Sequence, residues 1–202
     1  MMRQLLSSLA SLALAVPLLA AEPASGRADD LWHRLQGGNH VLLVRHAATE
    51  PGIGDPPGFA LDDCATQRNL SASGRADAGA LGAAMRQHGV PVARVLSSRW
   101  CRCQDTARLA FGKVEPAAVL DSIMNDDEGA RARKLAGLRQ AVQAWQGPGN
   151  LVLVTHDVNI RGLTGEKLAQ GEMLVTTRLP DGSLAVVGRL GVPKGADARQ
   201  AM

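Results

Sequence analysis

Two histidines each follow a short run of wholly apolar residues. VLLV precedes Arg45 and His46, and LVLV precedes Thr155 and His156. Short uninterrupted apolar runs are typical of strands that are covered on both faces in a parallel sheet. Because ligands bind beyond the carboxyl ends of such strands, we expect both histidines to lie in one crevice.

Arginines are expected in the same crevice. Arg45 directly precedes His46, and the segment SSRWCRC, which follows a second short strand, contributes Arg99 and Arg102. The planar guanidinium group matches phosphate oxygens and stays charged at any relevant pH. Helix N-termini nearby would add backbone donors for an anion. The crevice is therefore predicted to bind a phosphoryl group.

The elements that position these residues alternate along the chain. Helices are predicted at residues 29–35, 70–89, 128–146 and 157–167, and strands at 41–44, 92–96 and 151–155. A further helix is expected after the turn that opens SSRWCRCQDTARLAF. This alternation indicates an α/β fold of three layers, with a mostly parallel sheet between helices on both faces.

Two segments depart from this alternation. Residues 173–179 and 184–190 flank the turn sequence Pro-Asp-Gly-Ser, which favours a C-terminal hairpin at the sheet edge. Residues 51–69 are rich in Gly, Pro and Asp and have no periodicity. They are predicted to form a long loop, and long loops in compact domains are commonly functional.

The length of 202 residues and the 46% hydrophobic content favour a single domain. We assign residues 1–25 to a signal peptide, residues 26–190 to the domain and residues 191–202 to a loose tail. The leader places Arg3 before an apolar run that is shorter than the roughly 20 residues needed to span a bilayer. We therefore expect cleavage without stable membrane insertion, and a periplasmic or secreted protein.

Charge and cysteine content limit the partners and the covalent links. The 22 basic and 19 acidic residues are interspersed and give a formal net charge of +3, which argues against a nucleic-acid partner. In an exported chain, three cysteines favour one disulfide, of Cys64 with either Cys101 or Cys103. Three buried thiols are the alternative.

Four segments resemble, in order and spacing, the motifs of the histidine phosphatase superfamily, whose fold is that of phosphoglycerate mutase. They are VLLVRHAATE, NLSASGRADAGALG, VLSSRWCRCQDTA and LVLVTHDVNIRGL. The resemblance spans about residues 39–165 and implies a phosphoglycerate mutase-like fold. It also implies site residues by motif position: His46 as nucleophile, His156 as second histidine, and Arg45, Arg102 and Thr49 as phosphate-binding residues. Arg99 falls where proline is usual in the family.

The resemblance implies attack by neutral His46 on phosphorus, with a phosphohistidine intermediate that water cleaves and with no metal or cofactor. The general acid stays open. Asp157 resembles the acid of one branch of the superfamily, which directly follows the second histidine. In the other branch the acid lies on an inserted segment, which points to Asp126, Asp127 or Glu128 in MNDDEG. A helix start also explains these three carboxylates.

The predicted function is that of an exported phosphomonoesterase acting on a small phosphorylated substrate. The alternative is a non-catalytic phosphate- or phosphosugar-binding protein that keeps the pocket. Two departures from the family pattern bear on the substrate: Ala47 replaces a signature glycine, and residues 51–69 differ from the substrate loop of the sugar-phosphate mutases. Mutase activity is therefore not expected. The sequence leaves the oligomeric state open.

Overall fold

A six-stranded sheet forms the middle layer of the fold in a computed structural model, which describes residues 24–52 and 54–191. The strands are β1 (Val41–Arg45), β2 (Val92–Ser97), β3 (Glu115–Pro116), β4 (Asn150–Thr155), β5 (Met173–Arg178) and β6 (Leu184–Leu190). They lie in the order β3, β2, β4, β1, β5, β6. β1 to β4 run parallel, and β5 and β6 add an antiparallel hairpin at one edge.

Helices cover both faces of this sheet. The described helices are α1 (Ala24–Gln36), α2 (Ala72–Gln87), α3 (Cys101–Phe111), α4 (Glu128–Ala144) and α5 (Asp157–Thr164). Leu42 and Val44 of β1 pack with α1, α2 and α3 in one core, whereas Val41 and Leu43 pack with α4 and α5 in the other. Because successive strand side chains point to opposite faces, a wholly apolar strand supplies both cores. The predicted three-layer α/β fold, with a mostly parallel sheet and a C-terminal edge hairpin, is confirmed.

Side-chain caps decide where the helices begin. Ser71 Oγ accepts a hydrogen bond from Gly74 N at 3.1 Å, so α2 begins at Ala72, directly after this cap. Asp127 accepts from Ala130 N at 2.7 Å and caps α4 in the same way. α5 is shorter than predicted, because Gly165 adopts a left-handed conformation with φ of 78° and ends it after Thr164.

The structure has elements that the sequence did not predict, and two predicted regions lie outside the described residues. The short strand β3 and two 3-10 helices, Cys64–Thr66 and Ala118–Leu120, were not expected from the sequence. The predicted signal peptide up to residue 23 and the predicted tail from residue 192 lie outside the described residues. In the described part of the chain, no helix is long and apolar enough to cross a membrane.

The N-terminal turn of α2 holds the segment that follows β1. Ser71 N donates to the carbonyl oxygen of Ala48 at 3.0 Å. A Cβ atom at Gly74 would overlap that same carbonyl group, so only glycine allows the approach. The backbone two residues after His46 is therefore fixed by a helix that is not part of the sheet.

Candidate active site

The two histidines converge because β1 and β4 are neighbours. Arg45 is in register with Thr155, so His46 and His156 are the next residues along two adjacent parallel strands. His46 N donates to Thr155 O at 3.0 Å, and the centroids of the two imidazole rings lie 5.5 Å apart. Both side chains are about 95% buried (4% and 5% exposed). The crevice predicted from the apolar runs is thus present at the carboxyl end of the sheet.

A cavity of about 470 Å³ opens above these histidines. Its wall combines cationic, acidic and apolar side chains. The cationic side chains are Arg45, Arg68, Arg102 and Lys134, the acidic ones are Asp55, Asp126 and Asp157, and the large apolar ones are Phe59, Trp100 and Met124. A cavity of this size and polarity suits a small anionic ligand.

The hydrogen bonding of His46 suits a nucleophile. Its Nδ1 lies 2.9 Å from the carbonyl oxygen of Ala47, and because a carbonyl only accepts, Nδ1 carries the proton. Nε2 then holds the lone pair. Burial lowers the pKa of His46 to about 3; the Ala47 hydrogen bond opposes that shift, whereas the charges of Arg102 and Arg45 add to it. The ring is therefore neutral at neutral pH, as nucleophilic attack requires.

Three guanidinium groups line the cavity. Arg45 donates to Leu168 O at 2.6 Å, and Arg68 donates to Gly52 O at 2.5 Å. The Nε atoms of Arg45, Arg68 and Arg102 are all buried, and none has a hydrogen-bond partner within the described residues. Three guanidinium groups that line one cavity favour an anionic ligand, because each carries a permanent positive charge.

Arg68 was missed by the sequence analysis. It lies in the irregular loop 51–69, just before the NLSASG motif, and the sequence offered only the functional nature of that loop as a signal. In the structure its side chain lines the same cavity as the histidines. Burial lowers the pKa of Arg68 below its usual value, and the neighbouring Arg102 lowers it further.

Asp55, which the sequence analysis also missed, forms a salt bridge with Arg102, the predicted phosphate-binding arginine. Its two carboxylate oxygens accept from Nη1 and Nη2 of Arg102 at 2.6 and 3.2 Å. Trp100 Nε1 and Arg68 N also donate to it, at 2.9 and 3.0 Å. Burial alone would raise the pKa of Asp55, but these hydrogen bonds outweigh it and hold the pKa below its usual value. Arg102 is thus neutralised by a carboxylate from the loop.

Two buried side chains, Ser98 and Cys103, contact Nε2 of His156. Nε2 lies 3.0 Å from Ser98 Oγ and 3.6 Å from Cys103 Sγ. Burial lowers the pKa of His156 well below its usual range, with contributions from the positive charges around the cavity. Burial also raises the pKa of the Cys103 thiol to about 12, so this free cysteine is neutral at neutral pH.

The candidate acids occupy different positions. Asp157 and Asp126 line the cavity, whereas Asp127 and Glu128 do not; both are exposed at the start of α4. Asp157 accepts from Leu168 N at 3.0 Å and from Arg161 at 2.7 Å, one bond to each carboxylate oxygen. Asp126 forms a salt bridge with Lys134 at 2.8 Å.

Other predicted site residues lie near the cavity but not on it. The Thr49 hydroxyl accepts from the side chain of Gln170 at 3.3 Å, and Thr49 does not line the cavity. The methyl group of Ala47 is fully buried against Leu70 and Ala78, so it does not narrow the pocket. Arg99 does not line the cavity either and forms a salt bridge with Asp121 at 2.6 Å.

A disulfide joins the loop to the arginine helix. Cys64 bonds to Cys101, one of the two predicted pairings, and Cys103 remains a buried free thiol. Cys101 is the first residue of α3 and directly precedes Arg102. The disulfide therefore ties the loop that carries Asp55 and Arg68 to the helix that carries Arg102.

In the described part of the chain, no group of three or more His, Cys, Asp and Glu side chains is arranged to hold a metal ion.

A family model and several solved structures are similar to this chain. Residues 41–130 match the family model of the histidine phosphatase superfamily (branch 1). No curated protein matches the chain. Similar solved structures include a phosphoserine phosphatase mutant from Entamoeba histolytica in complex with phosphoserine, which is 14% identical with a TM-score of 0.56 over 77% of this chain and 98% of that one.

Two further solved structures have the same fold. The protein histidine phosphatase SixA complexed with tungstate is 14% identical, with a TM-score of 0.54 over 75% of this chain and 96% of that one. The alpha-ribazole phosphatase from Shigella flexneri is 18% identical, with a TM-score of 0.53 over 73% and 95%. At these identities the likeness shows the fold alone. The match to the family model covers residues 41–130, and over that segment the chain is similar to the histidine phosphatase superfamily.

Proposed function

We propose that this protein is an exported, metal-independent phosphomonoesterase that forms a phosphohistidine on His46 and acts on a small phosphorylated substrate. The observation that carries the proposal is the state of His46. Its Nδ1 proton is bound by Ala47 O, and its ring is neutral and lines a cavity with three arginines. A ring nitrogen with a free lone pair, next to guanidinium groups, is what attack on a phosphoryl group requires.

The proposed reaction has two displacements at phosphorus. In the first, His46 Nε2 forms a bond to phosphorus while the bond from phosphorus to the leaving oxygen breaks. In the second, water attacks the phosphohistidine and His46 recovers its lone pair. Arg45, Arg68 and Arg102 would stabilise the negative charge on the equatorial oxygens, which is the main catalytic task in phosphoryl transfer.

The leaving alkoxide needs a proton, and the contacts favour Asp126 over Asp157 as its donor. Both oxygens of Asp157 already accept hydrogen bonds, from Leu168 N and from Arg161. Asp126 lines the cavity and pairs only with the flexible side chain of Lys134 among the described residues. A positioned acid typically contributes about 10²- to 10⁴-fold to such a step.

The comparison proteins support the reaction class and leave the substrate open. One is named for phosphoserine, one for a phosphorylated histidine in a protein and one for alpha-ribazole phosphate. The shared part of these substrates is the phosphoryl group, whereas the leaving groups differ. In this chain the leaving group would face Phe59, Met124 and the pair of Asp126 and Lys134.

A labelling experiment tests the proposal. Purified protein is incubated with a radiolabelled phosphoester in the presence of EDTA, and acid-labile, base-stable label is mapped by mass spectrometry. We expect label on His46 together with release of phosphate, and loss of both in His46→Asn. The matched control is His33→Asn, since His33 is exposed on α1 and does not line the cavity. Absence of both label and released phosphate would favour the phosphate-binding alternative.

A second experiment separates the two acids. Asp126→Asn and Asp157→Asn are compared on an alkyl phosphate and on an activated aryl phosphate, whose leaving group needs little protonation. We expect Asp126→Asn to lower kcat on the alkyl ester by about 100-fold and on the aryl ester far less. Equal losses on both esters, or the larger alkyl-specific loss in Asp157→Asn, would remove Asp126 from this role.

Export is proposed from the leader at residues 1–25 and is supported by the disulfide between Cys64 and Cys101, since disulfides persist in oxidising compartments. The test is fractionation of cells that express the full chain, with a chain lacking residues 1–25 as control. We expect a shortened protein outside the cytoplasm for the full chain only. Retention of the full-length chain in the cytoplasm would contradict export.

A further inference from the structure

Four polar groups form a hydrogen-bonded chain that ends on His156. Arg99 donates through its backbone N and its Nε to the two oxygens of Asp121, at 2.8 and 2.7 Å. Ser98 Oγ donates to Asp121 Oδ1 at 3.3 Å and lies 3.0 Å from His156 Nε2. Ser98 is completely buried, and Asp121 is 2% exposed. Water is therefore excluded from the links between Asp121, Ser98 and His156, and the protons on those links have to be assigned within the protein.

The proton count assigns the donor and the acceptor at each link. A serine hydroxyl has one proton, and Ser98 gives it to the carboxylate of Asp121. Its oxygen then has only lone pairs left for His156. The remaining contact is a hydrogen bond only if His156 Nε2 carries the proton and donates it to Ser98 Oγ.

We propose that Asp121 and Ser98 are positioning residues that fix His156 as the Nε2–H tautomer, so that its Nδ1 is an acceptor available to the bound substrate. Nδ1 has no hydrogen-bond partner among the described residues, and His156 lines the cavity. His46 has the opposite tautomer, because Ala47 O accepts from its Nδ1. The two histidines are thus held by different partners as different tautomers: the proton is on Nδ1 in His46 and on Nε2 in His156.

This tautomer has a consequence for the substrate, which rests on the proposed function. A neutral ring with a free Nδ1 lone pair can bind a phosphate oxygen only if that oxygen carries a proton. His156 therefore favours the phosphate monoanion, and the proton of that monoanion passes to Nδ1 as the dianionic transition state forms. The second pKa of a phosphate monoester is about 6, so the monoanion is available near neutral pH.

The charged groups around His156 support this assignment. Arg45 faces it from β1, Arg102 from α3 and Lys134 from α4, and these three positive charges oppose protonation of the ring. His46, which is neutral, faces it from the end of β1. Asp157 is the neighbour of His156 in the chain but is bonded to Leu168 N and Arg161. The protein alone therefore keeps the ring neutral, and a bound phosphate would supply the negative charge that allows protonation.

Cys103 is the competing partner of Nε2. Its sulfur lies 3.6 Å from Nε2, and if the thiol donated there, the ring proton would move to Nδ1. The thiol is a weak donor, whereas the Ser98 oxygen is nearer and is a better acceptor. The structure therefore favours Ser98 as the group that sets the tautomer.

Nitrogen NMR tests the tautomer directly and needs no activity. In protein labelled with ¹⁵N-histidine, protonated and unprotonated ring nitrogens have well separated chemical shifts, and His46→Asn and His156→Asn assign the signals. We expect a protonated Nε2 and an unprotonated Nδ1 for His156 near pH 7, and the reverse for His46. A protonated Nδ1 on His156 in the wild-type protein would overturn the proposal, whether or not the protein proves to be a phosphatase.

Variants then test which residues set the tautomer. Ser98→Ala removes the acceptor, so His156 should show a mixture of both tautomers. Ser97→Ala is the matched control, because Ser97 is equally buried at the end of β2 but donates to Ser98 O and does not contact His156. Cys103→Ala should leave the Nε2–H tautomer unchanged. An unchanged tautomer in Ser98→Ala, or a changed one in Cys103→Ala, would refute the role of Ser98.

Asp121 is tested by a conservative pair of substitutions. Asp121→Asn keeps an oxygen for the Ser98 hydroxyl and should preserve the tautomer, whereas Asp121→Ala frees that hydroxyl to donate to His156 and should not.

In kinetics, Ser98→Ala should lower kcat by about 10- to 100-fold, the usual cost of removing the group that orients a functional histidine. The alkaline limb of the pH profile of kcat/KM should shift in Ser98→Ala, whereas the alkaline limb for Ser97→Ala should stay at the wild-type position. Equal profiles in the two serine variants would leave Ser98 with no positioning role.

Discussion

Asp55 is predicted to compete with phosphate for Arg102, and its removal should separate stability from binding. The two side chains are only 6% and 8% exposed. Asp55→Ala leaves a buried guanidinium without its carboxylate, a change that usually costs about 3–5 kcal/mol. A domain near the middle of the usual range, with about 10 kcal/mol of total stability, stays folded after such a loss. The free energy of unfolding should therefore fall without loss of the native structure.

The same substitution should strengthen phosphate binding. It removes a negative charge from the cavity and frees Nη1 and Nη2 of Arg102. At an effective dielectric constant near 20, a unit charge at about 4 Å is worth about 4 kcal/mol, an upper limit for the repulsion removed. We expect at least about a tenfold lower Kd for inorganic phosphate, which corresponds to about 1.4 kcal/mol.

The assay is urea unfolding of wild type and Asp55→Ala, with and without phosphate, together with calorimetric titration of phosphate. A phosphate concentration of 100 times Kd stabilises either protein by about 2.7 kcal/mol, so equal concentrations should stabilise the variant more. Asp62→Ala is the matched control, since Asp62 lies exposed in the same loop. Weaker phosphate binding in Asp55→Ala would show that Asp55 orients Arg102 for phosphate, and would refute the competition.

Three further predictions concern pH, packing and the disulfide. Because burial lowers the pKa of His46 from 6.5 to about 3 in the native protein, His46 alone should contribute a loss of about 1.4 kcal/mol of stability per unit as the pH falls from 6.5 toward 3. Urea unfolding at pH 7 and 5 should therefore show a shallower pH dependence in His46→Asn, which keeps the contribution of His156. Gly74→Ala should lower the melting temperature and the activity, whereas Gly79→Ala, whose added methyl group meets open space on the same helix, should not. Replacing both Cys64 and Cys101 by Ser removes a disulfide between residues 37 positions apart. The free energy of unfolding, measured with urea, should fall by about 4 kcal/mol.

The histidines and the parallel strands were predictable because both depend on local sequence. A run such as Val41–Val44 has to be covered on both faces, and the residue that follows it has to leave the sheet at the carboxyl end. His46 and His156 obey this rule twice, so their meeting could be predicted without a structure. The ends of helices were less predictable, because single capping contacts such as that of Asp127 decide them.

The partners of the arginines could not be predicted from the sequence. Asp55 and Arg102 are 47 residues apart, and the loop that carries Asp55 has no periodicity from which to predict its path. That path is fixed by long-range contacts, including the disulfide of Cys64 with Cys101 and the hydrogen bond from Trp100 to Asp55. Ser98 and Asp121 were missed for the same reason, since a β2 residue meets a distant loop only in the folded chain.

The pairing of charges suggests the order in which the cavity engages phosphate. Each cavity carboxylate already has a cation: Asp55 has Arg102, Asp126 has Lys134 and Asp157 has Arg161. Among the described residues, Arg45 and Arg68 form no salt bridge, so they are the cavity cations whose charge is not offset. An incoming phosphate should therefore meet these two arginines first and gain Arg102 only as Asp55 moves away. On this reasoning, Asp55 would keep Arg102 neutralised until an anion replaces it.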